Sequence, residues 1–445
     1  MSARQRGRGR GDRRRPRNRA AQGDSLVGQR LTLDIEDVAQ GGHCVARHDG
    51  RVVFVRHSLP GERVVAEVTD GGTGSRFLRA DAVEILTASP ERRPSPCVYA
   101  GPGLCGGCDW QHTSARFGRE LKTRVVREQL QRLAGIEWDG EVEAVPGDEE
   151  GQRWRTRVEF AATPRGRIGL RRHRSHDVVP VDDCLITVPE IAATGLLGEV
   201  VETGVTGVDV AVDSAGEVVA IDLPIRRSSS GGGSAAEDAA HRDPVPNVTE
   251  TVHVAGRGDR DFAVSARGFW QVHPGAASTF VTEVLDRLRP QPGERVLDLY
   301  SGVGVFTAFL ADAVGTDGRV LGLEGDARAV QDGQGNLAGL PQASLQRADI
   351  GRDGWQSAID DGLDTVDLVV LDPPRTGAGR EVIGEITARQ PRAIAYVACD
   401  PAALARDLSY AADAGYGVTS LRAFDAFPMT HHVECIAILS RVGES

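Results

Sequence analysis

The chain almost lacks lysine: Lys122 stands alone among 52 lysines and arginines, a scarcity that reads as coding bias toward arginine. It also lacks any apolar run of about 18 residues, which leaves no expected helical membrane span. No apolar stretch of the secretory kind follows the first residues, so the expected location is cytoplasmic. In that compartment seven cysteines (44, 97, 105, 108, 184, 399 and 435) argue against a disulfide framework. Four of them need a common explanation, and Cys399 needs its own.

What is present is ordinary soluble composition, 40% hydrophobic and 26% charged, over 445 residues with room for two or three domains. The formal charge of −11 conceals an asymmetry. Nine arginines fall in residues 1–20 against Asp12 alone, so that segment carries +8 and the remainder −19. An arginine run interrupted by glycine cannot bury a core; a disordered tail over 1–23 is expected, able to attract polyanions through counterion release.

Alternation of apolar and polar residues begins at Leu31-Thr-Leu-Asp-Ile-Glu36 and recurs in glycine-punctuated segments starting at Cys44, Arg51, Arg63 and Ala80. Five short strands predict a small OB-like β-barrel over 24–88. Beyond the Pro90–Pro96 linker, residues 89–255 read as an α+β central domain. It holds a helix near Ser114–Leu133 and a low-complexity, flexible loop at about 226–247. From residue 256 to 445 the rhythm becomes strand, helix, strand, helix. Val296-Leu-Asp-Leu299, Arg319–Leu323, Leu368–Leu371 and Ala393–Val397 are short apolar runs. That pattern predicts an α/β, Rossmann-like C-terminal domain with a mostly parallel sheet.

Its first strand leads into Tyr300-Ser-Gly-Val-Gly-Val-Phe-Thr307. Gly302 and Gly304 allow a ligand close to the backbone at the carboxyl edge of the sheet. Glu324, 22 residues after Gly302, ends the next strand where a carboxylate can take ribose hydroxyls. A dinucleotide is the competing ligand, but Thr307 stands where its fingerprint needs a third glycine. That favours a methyl donor of the S-adenosylmethionine kind. Asp372-Pro-Pro-Arg375 follows another apolar strand, and its prolines stiffen the exit and aim the carboxylate into the same crevice. A similar acidic-Pro-Pro turn serves amino-methyltransferases, which keeps nitrogen methylation open.

Cys399, in Tyr396-Val-Ala-Cys-Asp-Pro401, leaves the strand beside that of Asp372. A uridine C5 is too weak a nucleophile to take a methyl group unaided; a thiolate added at C6 makes it enolate-like. A base must then remove the C5 proton. Glu434, in the apolar run His432-Val-Glu-Cys-Ile-Ala-Ile-Leu439, is a carboxylate costly to bury without a role. His431 and His432 are available to assist, and Cys435 alternates to the other face. A helix beginning near Pro401 is expected to lower the thiol pKa, and Asp400 to oppose that.

Cys97, Cys105, Cys108 and Cys184 form a four-thiolate set that either zinc or an iron–sulfur cluster accepts, with spacing slightly favouring zinc. Arg153-Trp-Arg-Thr-Arg157, followed by Arg165, Arg167, Arg171, Arg172 and Arg174, reads as a basic stripe for phosphates, with Trp154 to stack on a base. The alternative is a solvated face paired with carboxylates.

Gly268-Phe-Trp-Gln-Val-His273, Asp298-Leu-Tyr-Ser-Gly-Val-Gly304, Asp372-Pro-Pro-Arg375, Ala398-Cys-Asp-Pro401 and His432-Val-Glu-Cys435 together resemble the RNA 5-methyluridine methyltransferase family. Gly41-Gly42 and His57-Ser-Leu-Pro-Gly-Glu62 likewise resemble a TRAM domain. The resemblance implies S-adenosylmethionine-dependent methylation of uridine C5 in structured RNA, 23S rRNA in the first place and tRNA in the second. DNA and membranes are not expected partners. It implies Cys399 as nucleophile and Glu434 as base. It places Gln271, Tyr300, Glu324, Asp349 and Asp372 in the cofactor pocket. It turns the four-cysteine set toward the [4Fe-4S] cluster of the ribosomal-RNA members. Val305 and Asp400 depart from the asparagines usual at their positions, which leaves a non-catalytic RNA-binding assembly factor as the contrasting expectation.

Overall fold

A computed structural model describes residues 23–148, 150–224, 245–352 and 354–443. The arginine-rich tail and most of the low-complexity segment lie outside the described residues. The chain divides into two compact units, one of residues up to Asp37 with His43–Pro90, the other of Val38–Gly42 with everything from Glu91.

In the first unit β1 (Arg30–Val38), β2 (Cys44–His48), β3 (Arg51–Arg56), β4 (Arg63–Asp70) and β5 (Phe77–Thr87) close into a barrel in the order β1-β2-β3-β5-β4. Period-two alternation sends Leu31, Leu33 and Ile35 inward and Arg30, Thr32 and Asp34 outward. Val53, Val55, Val64, Ala66 and Leu78 complete the core. Buried Glu62 accepts the backbone N–H groups of Leu59 (2.8 Å) and Ser89 (3.1 Å), fixing the turn before β4.

The second unit contains β6 (Val142–Ala144), β7 (Arg157–Ala162), β8 (Ile168–Arg171), β9 (Val178–Pro180), β10 (Val205–Val212) and β11 (Val218–Pro224). It continues with β12 (Asn247–Val254), β13 (Gly258–Ser265), β14 (Arg295–Leu299), β15 (Arg319–Glu324) and β16 (Ala343–Arg347). The last are β17 (Leu368–Leu371), β18 (Ala393–Ala398), β19 (Tyr416–Asp425) and β20 (Glu434–Arg441). Strands β11-β10-β7-β8-β9 make an antiparallel sheet. The hairpin β12–β13 straddles residue 255, where the sequence reading began the C-terminal domain.

The largest sheet runs β16-β15-β14-β17-β18-β20-β19-β6. Strands β16 to β18 are parallel, and β20 is antiparallel to both β18 and β19. Every residue of β17 and β18 is buried, as expected of strands covered on both faces. Successive residues serve opposite faces: Val296, Leu368 and Val370 pack in one apolar cluster, Leu297, Val369 and Leu371 in another. The short β6, contributed by the middle of the chain, extends the β19 edge. It is joined to the helix Ala115–Ala134, whose Thr123 Oγ1 accepts the Val142 N–H at 2.9 Å. Ser114 caps that helix, accepting the Phe117 N–H at 3.1 Å. Among the described residues no helix is long and apolar enough to cross a membrane.

From β14 the chain moves to β15 and β16 on one side and later to β17 and β18 on the other. The crevice at the carboxyl ends of β14 and β17 is therefore the switch point of the sheet, where open α/β sheets bind ligands.

Candidate active site

At the end of β14 the backbone makes three left-handed residues, Tyr300 (φ 61°), Gly302 (φ 54°) and Gly304 (φ 85°). For a tyrosine that conformation costs about 1–2 kcal/mol, and the turn holds it. A Cβ added at Gly302 meets no atom within 4 Å, because the residue faces a cavity. At Gly304 it meets Leu345 at 3.4 Å, so that glycine serves helix–strand packing. Glu324, ending β15, accepts the N–H groups of Gly302 (3.0 Å) and Asp326 (2.8 Å). Each carboxylate oxygen retains a second lone pair for a ligand hydroxyl. Beneath the turn lies Asp298, 1% exposed, accepting a hydrogen bond from Thr307 Oγ1 at 2.6 Å. The residue at the position of the absent third glycine thus holds the buried acid. Burial pushes the Asp298 carboxyl up to about 7.

All eight residues singled out for cofactor and chemistry line this one cavity of about 1140 Å³: Gln271, Tyr300, Gly302, Glu324, Asp349 and Asp372, with Cys399 and Glu434. The open face of Gly302, the acceptors of Glu324 and Asp349, and the adjoining carboxylate of Asp372 suit a ligand with ribose hydroxyls and a positive charge. S-adenosylmethionine has both, and the residues fit it.

Asp372 and Cys399 follow the neighbouring parallel strands β17 and β18. Glu434 opens β20 on the far side of β18, where Ala398 pairs with Cys435, so Glu434 arrives beside the thiol. It is 3% exposed, and among the described residues its Oε2 has no hydrogen-bond partner. Burial, then the charge of Asp372, raise the Glu434 pKa well above the usual range, while Arg375 and Lys122 lower it. Asp372 is pushed up to about 7 by burial and then by Asp298.

The expectation of a thiol activated by a helix terminus is corrected. The helix Pro401–Asp413 does start beside Cys399, but Asp400 caps it, accepting the Ala403 N–H at 2.8 Å. Burial first, then Glu434 and Asp372, push the Cys399 thiol up to about 12, with Asp400 a smaller contributor. Arg375 is the counterweight.

Arg155, Arg375 and Phe269, to which the sequence reading assigned no place in the cavity, also line it, as does His432, expected to be available to assist the base. Among the described residues neither arginine has a carboxylate partner; Arg375 Nη2 lies 3.4 Å from His432 Nε2. Burial, His431 and Arg375 lower the His432 pKa to about 3, leaving a neutral imidazole. Phe269 is 74% exposed at the rim, an aromatic ring within the Gly268–His273 motif with no core to fill, which was the available signal.

The basic stripe is also corrected. Arg153 has φ 54°, so Arg153–Arg157 is not one alternating strand; β7 begins only at Arg157. Arg153 grips Asp183 through both terminal nitrogens, and Arg157 is buried on Glu250 at 2.8 Å and on the carbonyls of Ser265 and Gly268. Arg167, Arg171 and Arg172 face Asp182, Glu159 and Asp177. Trp154 is fully buried, not presented for stacking.

Cys184 lies within electrostatic reach of Cys105 and Cys97, and Cys108 of Cys184 and Cys105. Burial, chiefly, pushes the Cys184 thiol up to about 11 and that of Cys108 further. Among the described residues, however, no three of His, Cys, Asp or Glu stand so as to hold one metal ion. A tetrahedral zinc and an iron–sulfur cluster alike need the four sulfurs gathered around them, so neither reading of the set is shown.

A crevice at a switch point, a strained glycine turn and carboxylates arranged for a sulfonium nucleoside define an S-adenosylmethionine-dependent methyltransferase. The TRAM domain model matches residues 24–83, and the tRNA (Uracil-5-)-methyltransferase model matches 244–442. An RNA methyltransferase of Streptomyces coelicolor is 48% identical over 93% of this chain and 93% of its own length. A 23S rRNA (uracil(1939)-C(5))-methyltransferase of Pseudomonas aeruginosa is 32% identical over 93% and 94%. The crystal structure of Pyrococcus abyssi tRNA (uracil-54, C5)-methyltransferase with S-adenosyl-L-homocysteine shares the fold. It has a TM-score of 0.65 and 21% identity, covering 92% of this chain and all of that one. The chain belongs to the RNA uracil-C5 methyltransferase family.

Proposed function

We propose that this enzyme methylates C5 of a uridine in structured RNA, 23S rRNA in the first place, through a bond from Cys399 Sγ to C6. The observation that carries the reading is the convergence of Cys399, Glu434 and Asp372 from three adjacent strands on one cavity wall. S-adenosylmethionine, when bound, supplies the electrophilic methyl group. Cys399 adds to C6 as thiolate, and the electron pair of the C5=C6 bond becomes available at C5. After C5 is methylated, Glu434 removes the C5 proton; the C–S pair leaves with sulfur, and the double bond is restored. Burial raises the Glu434 pKa, which makes its carboxylate a stronger base once ionised. The target base must leave its stack to reach the thiol, and the exposed ring of Phe269 stands at the cavity rim.

The ribosomal preference draws on the Pseudomonas relative and on the four-cysteine set. We read Cys97, Cys105, Cys108 and Cys184 as ligands of a structural [4Fe-4S] cluster. The cytoplasm is the expected compartment for this substrate.

The test is incubation with cofactor and RNA bearing 5-fluorouridine, whose C5 fluorine cannot be removed as a proton. A covalent RNA–protein adduct is expected, absent in Cys399→Ala; equal adduct in that variant refutes the reading. Mapping the adducted nucleotide separates 23S rRNA from tRNA. Iron and sulfide analysis of protein purified without oxygen checks the cluster.

A further inference from the structure

The one lysine of the chain lies where no solvent reaches it. Lys122 is 1% exposed on the helix Ala115–Ala134, and its Nζ donates to Asp425 Oδ1 at 2.5 Å and to the carbonyl of Phe427 at 3.0 Å. Asp425, itself 2% exposed, ends β19. The segment that follows, Ala426–Val433, is the whole connection from β19 to Glu434. Phe427 and His432 within it line the reaction cavity.

That segment is held by polar contacts, not by regular structure. Met429 adopts a left-handed backbone (φ 63°), and its carbonyl accepts the N–H groups of Asp109 (2.9 Å) and Trp110 (3.1 Å). The Asp109 carboxylate accepts the His431 N–H at 3.0 Å and lies 2.7 Å from His431 Nδ1. Thr430 Oγ1 donates to the Phe427 carbonyl at 2.8 Å, the same oxygen that Lys122 engages. The ammonium thus joins the start of the segment to a helix that also packs on the helix following Cys399.

Its charge reaches further than its hydrogen bonds. Lys122 lies within electrostatic range of Glu434 and His432, and the groups around it are Asp425, Asp109 and Arg119. Asp372, Arg375 and Lys122 all act electrostatically on Glu434, with Cys399 and Cys435 the neighbouring thiols. Among the described residues no donor meets the Glu434 Oε2. Arginine cannot substitute freely. Its planar fork is larger than an ammonium and needs more acceptors than a carboxylate oxygen and one carbonyl provide. A chain that uses arginine nearly everywhere else has lysine at this enclosed site.

We propose that Lys122 is a positioning residue of methyl transfer: paired with Asp425 and bonded to the Phe427 carbonyl, it anchors the Asp425–Glu434 segment and so sets the position of Glu434. The inference rests on the reading of Glu434 as the base.

Three variants test it: Lys122→Met, Lys122→Arg, and the double variant Lys122→Met with Asp425→Leu. The double variant removes both buried charges together, which spares the fold an unpaired carboxylate. Full-length protein is assayed for methyl transfer to RNA transcript across pH, for S-adenosylhomocysteine affinity and for thermal unfolding. Lys122→Met and the double variant are expected to lose kcat about tenfold or more, with the KM for cofactor held within about twofold. The base limb of their pH profile is expected to move upward by about one unit, since Glu434 loses a cation that lowers its pKa. Lys122→Arg is expected to give no rescue. A folded double variant with wild-type kcat and pH profile overturns the inference, as does full activity in Lys122→Arg. Glu434→Gln run alongside keeps the two readings distinct. If it retains activity the base assignment fails; if it is inactive while the Lys122 variants match wild type, only the positioning role fails.

Discussion

Asp298→Asn should make the ligand-free protein more stable, and increasingly so as pH rises. Asp298 is buried beneath the glycine turn with its carboxyl raised from 3.8 to about 7, burial being the dominant cause. Between those values the folded state holds a proton that the unfolded state has released, so stability falls as pH rises through the window and levels off above it. Three pH units at about 1.4 kcal/mol each give a penalty of about 4 kcal/mol at pH 8; at pH 5 it is only about 1.7 kcal/mol. Asparagine is nearly isosteric, keeps an oxygen for the Thr307 hydroxyl, and carries no such penalty. The gap between variant and wild type should therefore widen by about 3 kcal/mol from pH 5 to pH 8. At about 2 cal/mol/K per residue over the unit from Glu91 onward, that is about 4 °C in Tm. The assay is thermal unfolding of both proteins at the two pH values without cofactor, repeated with saturating S-adenosylmethionine. With cofactor the order should reverse, because the asparagine variant loses negative charge from beneath the sulfonium site. A variant-to-wild-type gap equal at pH 5 and pH 8 refutes the reasoning.

Gly302→Val should abolish cofactor binding measured calorimetrically while shifting Tm by only a few degrees: the branched side chain enters the cavity and φ 54° is strained for it. Arg157→Met alone should destabilise by about 3–5 kcal/mol in denaturant titration because it strands Glu250, whereas Arg157→Met with Glu250→Leu should recover most of that loss. Arg153→Ala should leave the salt dependence of RNA binding unchanged, since its charge is committed to Asp183.

The fold was legible where periodicity is strong. Five alternating segments gave the barrel, and short, largely apolar runs gave β14, β15, β17 and β18, because burial on one or two faces writes itself into the sequence. β6 was not legible: three residues carry no period, and its place is set by the edge of β19 and by Thr123. The cavity residues were legible as motifs because each ends a strand and strand ends gather at a switch point. Their charges were not. The helix beside Cys399 suggested a lowered thiol pKa, but its terminus is occupied by Asp400, and Glu434 and Asp372 come from strands far away in sequence. Likewise, arginine spacing at 153, 155 and 157 mimicked one strand face until the positive φ of Arg153 broke the alternation. Lys122 was visible as a solitary lysine, yet composition alone could not distinguish a residue of coding bias from one enclosed against Asp425.

Around the reaction cavity several acids are held against their charge: Asp298 and Asp372 are raised to about 7, Glu434 is raised well above its ordinary value, and the Cys399 thiol is raised to about 12. Such a site is poorly matched to itself. Each group repels the next, and Arg375 offsets only part of the repulsion. It is well matched to a cationic ligand beside Asp372, because one positive charge in a low-dielectric crevice lowers all of these pKa values together. The sulfonium of the family's cofactor is such a charge, so occupancy of the pocket and formation of the thiolate are coupled by electrostatics alone. A thiol silent in the empty enzyme is protected from oxidation and from stray electrophiles, since both react with the thiolate. The high resting pKa of Cys399 is therefore consistent with nucleophilic chemistry, provided the cation arrives first. Alkylation of Cys399 by a small thiol reagent should accordingly be faster with S-adenosylmethionine bound than with S-adenosylhomocysteine, which lacks the sulfonium charge. Equal rates with the two would place the activating charge elsewhere, in Arg375 or Arg155 of the cavity wall.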